Sequence, residues 1–232
     1  MSEEFVIEAL RARFRAGLKT RILAFGSSNT EAFLPGMHWF HVFEMALLNT
    51  HGRIHHCINT GIGGHTTRDL LARFDEDAAF YRPHLALITI GGNDANPVQD
   101  LSAETFGNNL RELHRRFSNM GTAVVFQTYY APNPLVCGDL QRFYGYMDTV
   151  RAVAAESKAG LIDHLRRWEP FRQAFPERYL PLMQDGFHLN RRGNLVLGLD
   201  LARHFGLQVA PGEADFWGEA VAIQQQMDAL RT

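Results

Sequence analysis

Apolar residues in this chain gather in five short runs, and between the runs they recur at the spacing of a helix face. The runs are RILAF (21–25), IHHCIN (54–59), LALITI (85–90), AVVFQT (123–128) and GLID (160–163). Runs of this length, rich in Ile, Val, Leu and Phe, read as strands, and the unbroken apolar character of 85–90 suits a strand buried on both faces. Helical spacing marks the intervals. Phe5, Val6, Ala9, Leu10 and Phe14 share one face of a segment over 3–17, with Glu3, Glu4 and Glu8 early, Arg11, Arg13 and Arg15 late, and Gly17 as its stop. Further helices are predicted over 38–50, opening near 66–74, over 102–117 with Ser102 as cap, over 140–158, over 191–205 and over 213–230. In the last of these, Phe216, Trp217, Val221, Ile223 and Met227 form an apolar face that could pack on the body of the molecule or serve a partner.

Strand and helix thus alternate every 30 to 40 residues or so, the pattern of βαβ units. It predicts a three-layer α/β/α architecture: a flavodoxin-like, parallel five-stranded sheet with helices on both faces. With no repeat, low-complexity stretch or linker to divide it, the expectation is one domain over 1–232, its core at about 21–205 and the helices at 3–17 and 213–230 as additions.

Composition adds little beyond exclusions. The 232 residues are 46% hydrophobic and 21% charged, enough for a proper core. With 23 basic and 25 acidic side chains and no basic block, nothing points to nucleic acid. No apolar stretch approaches the ~18 residues of a membrane span, so no membrane insertion is expected. An acidic N-terminus without a long apolar segment does not resemble a secretion signal, and two cysteines are too few for a disulfide scaffold. Both are read as reduced thiols, Cys57 as a small core residue and Cys137 as part of a Pro-rich loop, in a cytoplasmic protein.

Chemistry collects in the segments that follow the strands, where open parallel sheets place their working residues. LAFGSSNTE (23–31) runs a strand into a Gly, two serines, Asn and Thr, a turn that either cradles a phosphate or presents a nucleophile. NTGIGGHTT (59–67) and GGNDANP (91–97) are glycine-rich loops able to aim backbone amides or the Asn93 carboxamide at an oxyanion. MQDGFHLN (183–190) sets Asp185 three residues before His188. A serine nucleophile needs a base for its proton and an acid to orient that base, and a close Asp–His pair supplies both. Each element alone is common, but the four in this order are far less so by chance.

Together these blocks resemble the SGNH hydrolases, or GDSL esterase/lipase family, over residues 21 to about 205. Gly26-Ser27-Ser28 matches the family's Gly-Asp-Ser turn, so the resemblance makes Ser28 the nucleophile. NTGIGGHT matches the second block, with Gly64 as backbone oxyanion donor, and Gly91-Gly92-Asn93-Asp94 matches the third, with Asn93 as side-chain donor. Asp185-Gly186-Phe187-His188 supplies acid and base. The implied oxyanion hole is Ser28, Gly64 and Asn93, with no metal or organic cofactor. Two positions depart from the pattern: Ser27 and His65 stand where the family carries aspartates. They are expected, with Asp94, to support the site, Ser27 and His65 by preserving a contact between their loops.

The resemblance implies a serine esterase acting on a small-molecule or carbohydrate ester. The absence of a long lid insertion favours a short acyl group such as acetyl. Phe33, Leu34, Trp39, Tyr129, Tyr130, Phe187 and Leu189 could line an acyl pocket or be ordinary packing. Three other readings compete: a flavodoxin-like flavin phosphate loop at 26–31, a binding module that kept the fold without activity, and a metal site using His38, His41, His55 and His56. The oligomeric state is left open.

Overall fold

The computed structural model describes residues 3–33, 37–137, 140–208 and 214–230, with side chains from 6 onward and, in the last segment, from 218 onward. Five strands, β1 (Thr20–Gly26), β2 (His55–Asn59), β3 (Leu85–Thr89), β4 (Ala123–Gln127) and β5 (Gly160–Ile162), pair in parallel in the order β2-β1-β3-β4-β5. This is the flavodoxin-like order. β1 is an interior strand, with Ala24 opposite Asn59 on one side and Leu87 on the other. Ile22 to Phe25 and all of β3 are buried, as expected for strands covered on both faces. The strand order reverses between β1 and β3, the point at which open α/β sheets generally bind their ligands.

The helices are α1 (Glu3–Arg15), α2 (Trp39–His51), α3 (Thr67–Ala72), α4 (Phe74–Asp77), α5 (Ala103–Asn119), α6 (Pro134–Cys137), α7 (Gln141–Ser157), α8 (His164–Ala174), α9 (Pro176–Tyr179), α10 (Arg191–His204) and α11 (Ala214–Ala229). The chain gathers into two compact units. One comprises Met1–Ala32, Ile54–Tyr129 and Asp139–Ile162; the other comprises Phe33–Arg53, Tyr130–Gly138 and Asp163–Thr232. Each unit is assembled from three separate stretches of sequence.

The first unit holds the sheet. α1 buries Ile7, Leu10 and Phe14 and packs on β4 and β5; Gly17 ends it in the left-handed region at φ 64°. α5 is capped by the Ser102 hydroxyl, which accepts from the Thr105 amide at 3.0 Å, and buries Leu110, Leu113 and Phe117. Each large side chain so buried contributes about 1.5–3 kcal/mol, far more than a cap. Phe117 closes an aromatic cluster with Phe25 and Phe74.

The second unit is built on α2 and α10. Gly198 lets them approach: a Cβ there would lie 2.4 Å from that of Val42. α11 packs on α8 and α10 through Ala220, Ile223 and Met227, all buried, which decides for packing at those positions. The expected packing residues Phe5, Leu34, Phe216 and Trp217 lie outside the described side chains.

Residues 27–31 form a turn, and α2 begins at Trp39, within a residue of the helix expected over 38–50. Two local readings need correction. The segment containing Cys137 is the short helix α6 rather than a loop. α8 went unread because Pro170 lies inside it and its composition is strongly polar; Pro removes one helix bond, but Leu165, Trp168 and Phe171 are buried and outweigh that loss. No helix among the described residues is long and apolar enough to cross a membrane.

Candidate active site

In the first unit the serine turn sits where three segments press together. A Cβ on Gly26 would lie 2.3 Å from the Thr30 hydroxyl and 2.4 Å from the Thr89 carbonyl, so only glycine lets the chain fold back there. The Ser27 carbonyl accepts from the amides of Thr30 and Glu31, each at 2.9 Å. Those two amides are therefore committed within the turn, which argues against a flavin phosphate loop. Ser28 stands half-buried on this turn.

The second loop is locked to the first. The Asn59 carboxamide donates to the Thr30 carbonyl at 2.7 Å and accepts from the Gly61 amide at 2.9 Å, and the Ile62 amide donates to the Gly26 carbonyl at 3.2 Å. A Cβ on Gly63 would lie 3.9 Å from that of Ser28. Gly64 adopts φ 79°, where a side chain is strained, and faces open space. Beneath both loops, Arg73 donates to the Gly26 carbonyl at 2.9 Å and to the Thr60 carbonyl at 2.6 Å, while its guanidinium lies 4.6 Å from the Phe25 ring centre.

The third loop joins the second through two neighbours. The Asn93 carboxamide donates to the His65 carbonyl at 2.9 Å. Asp94 is fully buried and accepts from the Thr67 amide at 2.8 Å and its hydroxyl at 2.6 Å. Its other oxygen has no hydrogen-bond partner among the described residues. Burial pushes its carboxyl above the ordinary value, against the lowering effect of the Thr67 bonds.

Ser27 and His65 do not form the contact expected of them. The buried Ser27 hydroxyl meets Tyr129 at 3.3 Å, and His65 works through its backbone carbonyl. A phenol occupies the place beside the Ser27 hydroxyl, which makes its hydrogen bond there.

In the second unit, Asp185 and His188 form a compact pair. His188 Nδ1 lies 2.7 Å from Asp185 Oδ2, and Asp185 Oδ1 accepts from the amides of Phe187 and His188, each at 2.8 Å. Partial burial alone would raise the carboxyl; the two amides and the imidazole outweigh it and hold it below the ordinary value. The Gly186 carbonyl accepts from the Asn133 amide at 2.9 Å and the Cys137 thiol at 3.1 Å. Asn190 caps α10 directly after the turn, accepting from the Arg192 amide at 2.9 Å. Phe33, half exposed, meets the His188 ring edge-on at 5.9 Å.

Among the other candidate pocket residues, Trp39, Tyr129, Tyr130 and Leu189 are buried packing, and Phe187 is partly exposed. Of the histidines read as metal candidates, His38 caps α2 by accepting from the Phe40 amide at 3.3 Å, His55 packs edge-on against Phe14, and His41 and His56 are exposed. No group of three or more His, Cys, Asp or Glu able to hold a metal occurs among the described residues.

The model of the GDSL-like lipase/acylhydrolase family matches residues 24–196. The chain belongs to this family. It is therefore an SGNH/GDSL-type hydrolase acting on ester bonds. The enzyme is 26% identical over 181 residues, 72% of its own length and 70% of the relative's, to the uncharacterized lipoprotein YqeF of Bacillus subtilis (strain 168). Among solved structures it is similar to the acetylxylan esterase Axe2 of Geobacillus stearothermophilus, with TM-score 0.69 and 21% identity over 83% of this chain and 97% of that one. It is also similar to a lipase/acylhydrolase from Enterococcus faecalis, with TM-score 0.68 and 20% identity over 83% and 100%. These likenesses show the fold, a three-layer α/β/α arrangement around a five-stranded parallel sheet.

Arg73, Thr67 and Asn59 hold the enzyme's loops, yet sequence reading gave them no role there. Arg73 carried no motif signal at all; a single Arg on a helical stretch looks like any solvated cation. Asn59 and Thr67 bound the glycine-rich segment and were visible only as its ends.

Proposed function

We propose that the enzyme is a serine esterase in which Ser28 is the nucleophile, His188 the base and Asp185 its orienting acid. The observation that carries this reading is the Asp185–His188 pair. The carboxylate accepts from two amides of its own turn and faces Nδ1, which supports Nε2 as the group that takes the serine proton in this reading. In this reading Ser28 Oγ attacks the ester carbonyl carbon as its proton passes to His188 Nε2. The oxyanion rests on the amides of Ser28 and Gly64 and on the Asn93 carboxamide. The C–O bond then breaks, the leaving alcohol takes the proton from His188, and water attacks the acyl-enzyme to release the acid and restore Ser28.

The acyl group in this proposal is short, acetyl first, and the leaving alcohol belongs to a small molecule or a carbohydrate. Similarity in fold to acetylxylan esterases supports testing sugar esters first. The proposed compartment is the cytoplasm; neither cysteine is in a disulfide. A series of p-nitrophenyl esters of increasing chain length, with acetylated xylo-oligosaccharides alongside, tests the substrate. Fluorophosphonate labelling tests the triad: modification at Ser28 is expected. A folded protein that neither labels nor hydrolyses any member of the series would instead be a binding module on this fold.

A further inference from the structure

Two consecutive tyrosines follow β4 after Thr128, and each hydroxyl meets the neighbours of one proposed reacting residue. Tyr130 lies in the second unit and is buried. Its hydroxyl donates to the Phe187 carbonyl at 2.6 Å and accepts from the Leu189 amide at 3.0 Å. These residues flank His188 on either side. The donor and the acceptor belong to one phenol, so no other aromatic side chain of this size can make both bonds. The ring itself packs against Trp168, with centroids 5.6 Å apart.

Tyr129 lies in the first unit and is also buried. Its hydroxyl meets the Ser27 hydroxyl at 3.3 Å, and the Asn29 side chain and the Gly92 amide act on it electrostatically. Ser27 and Asn29 flank Ser28, and Gly92 precedes Asn93. Gly92 is pressed onto the phenol so closely that a Cβ there would lie 3.1 Å from the hydroxyl oxygen. Ser27, standing where the family carries an aspartate, meets a phenol instead of presenting a carboxylate.

We infer that Tyr129 and Tyr130 are positioning residues, Tyr129 for the nucleophile and the Asn93 donor, Tyr130 for the histidine base. Neither touches substrate. Tyr130 ties the backbone on both sides of His188, and Tyr129 ties the side chains on both sides of Ser28; a displacement of about 1 Å at a reacting residue costs on the order of 100-fold. The inference rests on the triad reading above.

The test compares Tyr129→Phe, Tyr130→Phe and Tyr130→Leu with wild type. Phenylalanine keeps the ring packing and deletes only the hydroxyl bonds, so a purely structural role would leave the Phe variants normal and impair only the Leu variant. The expected result is a loss of about 10- to 100-fold in kcat in each Phe variant, with KM within about twofold, because placement and not binding is disturbed. The second readout is the NMR signal of the His188 Nδ1 proton held toward Asp185. It should exchange faster in Tyr130→Phe and stay as in wild type in Tyr129→Phe. Phe variants with wild-type kcat, or an Nδ1 proton equally protected in Tyr130→Phe, would overturn the inference. The proton signal needs no turnover: if wild type neither hydrolyses esters nor labels at Ser28, the esterase reading falls, while the signal still decides whether Tyr130 holds the histidine turn.

Discussion

The two units solve opposite problems of placement. In the first, Ser28, Gly64 and Asn93 come from three loops far apart in sequence, and they are held by bonds between loops: Asn59 to Thr30, Asn93 to His65, Arg73 to Gly26 and Thr60. In the second, Asp185 and His188 lie on one turn and are held mainly by bonds within it, with Tyr130 and Asn133 gripping it from a single segment. The first arrangement exists only once the parallel sheet has formed. The second is nearly a property of six residues. Long-range construction is therefore needed where several donors must converge on one atom, and local construction suffices where one ring must keep one tautomer.

The largest effect should come from the reacting groups themselves. Ser28→Ala should lower kcat by about 10⁶ and abolish fluorophosphonate labelling, and Asp185→Asn should lower it by about 10⁴. If Ser28→Ala keeps wild-type turnover, the first unit does not carry the nucleophile. A histidine base must be neutral, so turnover of the wild type should also fall on acidification.

Next come the converging donors. Asn93→Ala should cost about 10²–10³ in rate without unfolding the protein, measured by kcat beside a thermal midpoint. Gly64→Ala should cost stability of about 1 kcal/mol from the strained φ and a larger loss in rate, since its amide is the proposed donor. A rate loss no greater than the stability loss would remove Gly64 from the oxyanion hole.

The smallest effects separate the units by pH. His164 in the second unit is buried against Asp200 at 2.9 Å, and burial, helped by the Arg167 guanidinium, lowers its pKa to about 3. The unfolded imidazole takes a proton below about 6.5 while the folded one does not. Stability is therefore lost as pH falls through that window, at up to about 1.4 kcal/mol per pH unit. Asp94 in the first unit has the opposite sign. Its folded pKa is raised by burial, so the folded state keeps its proton above the unfolded value of about 3.9, and stability declines as pH rises through that window. His164→Asn should flatten the acid side of a stability–pH curve, and Asp94→Asn the other side. Thermal midpoints from pH 4 to 8 read both, and a curve unchanged by either substitution would refute the assignment.

Much of the fold was legible because its signal is local. All five strands fall within about a residue of the apolar runs that announced them; for β1 and β3 the reason is burial on both faces, which a composition cannot hide. The Asp185–His188 pair was legible because its signal is local too. α8 was hidden by Pro170, whose cost is read from sequence while the burial that offsets it is not. Arg73 and Tyr129 were illegible as supports because their partners are backbone carbonyls and hydroxyls many residues away.

By itself, the order of apolar runs determined that the chain is a doubly wound α/β protein, and the resemblance of four short motifs to the SGNH family named the residues on which its chemistry is proposed to rest. These are matters of composition and short spacing, which a linear chain records directly. The tertiary structure alone decided that a phenol and not a histidine meets Ser27, that Arg73 underpins two loops, and that one buried carboxyl and one buried imidazole oppose each other in pH. Each of these depends on which distant groups share a desolvated space, and that is settled by packing, after the chain has folded.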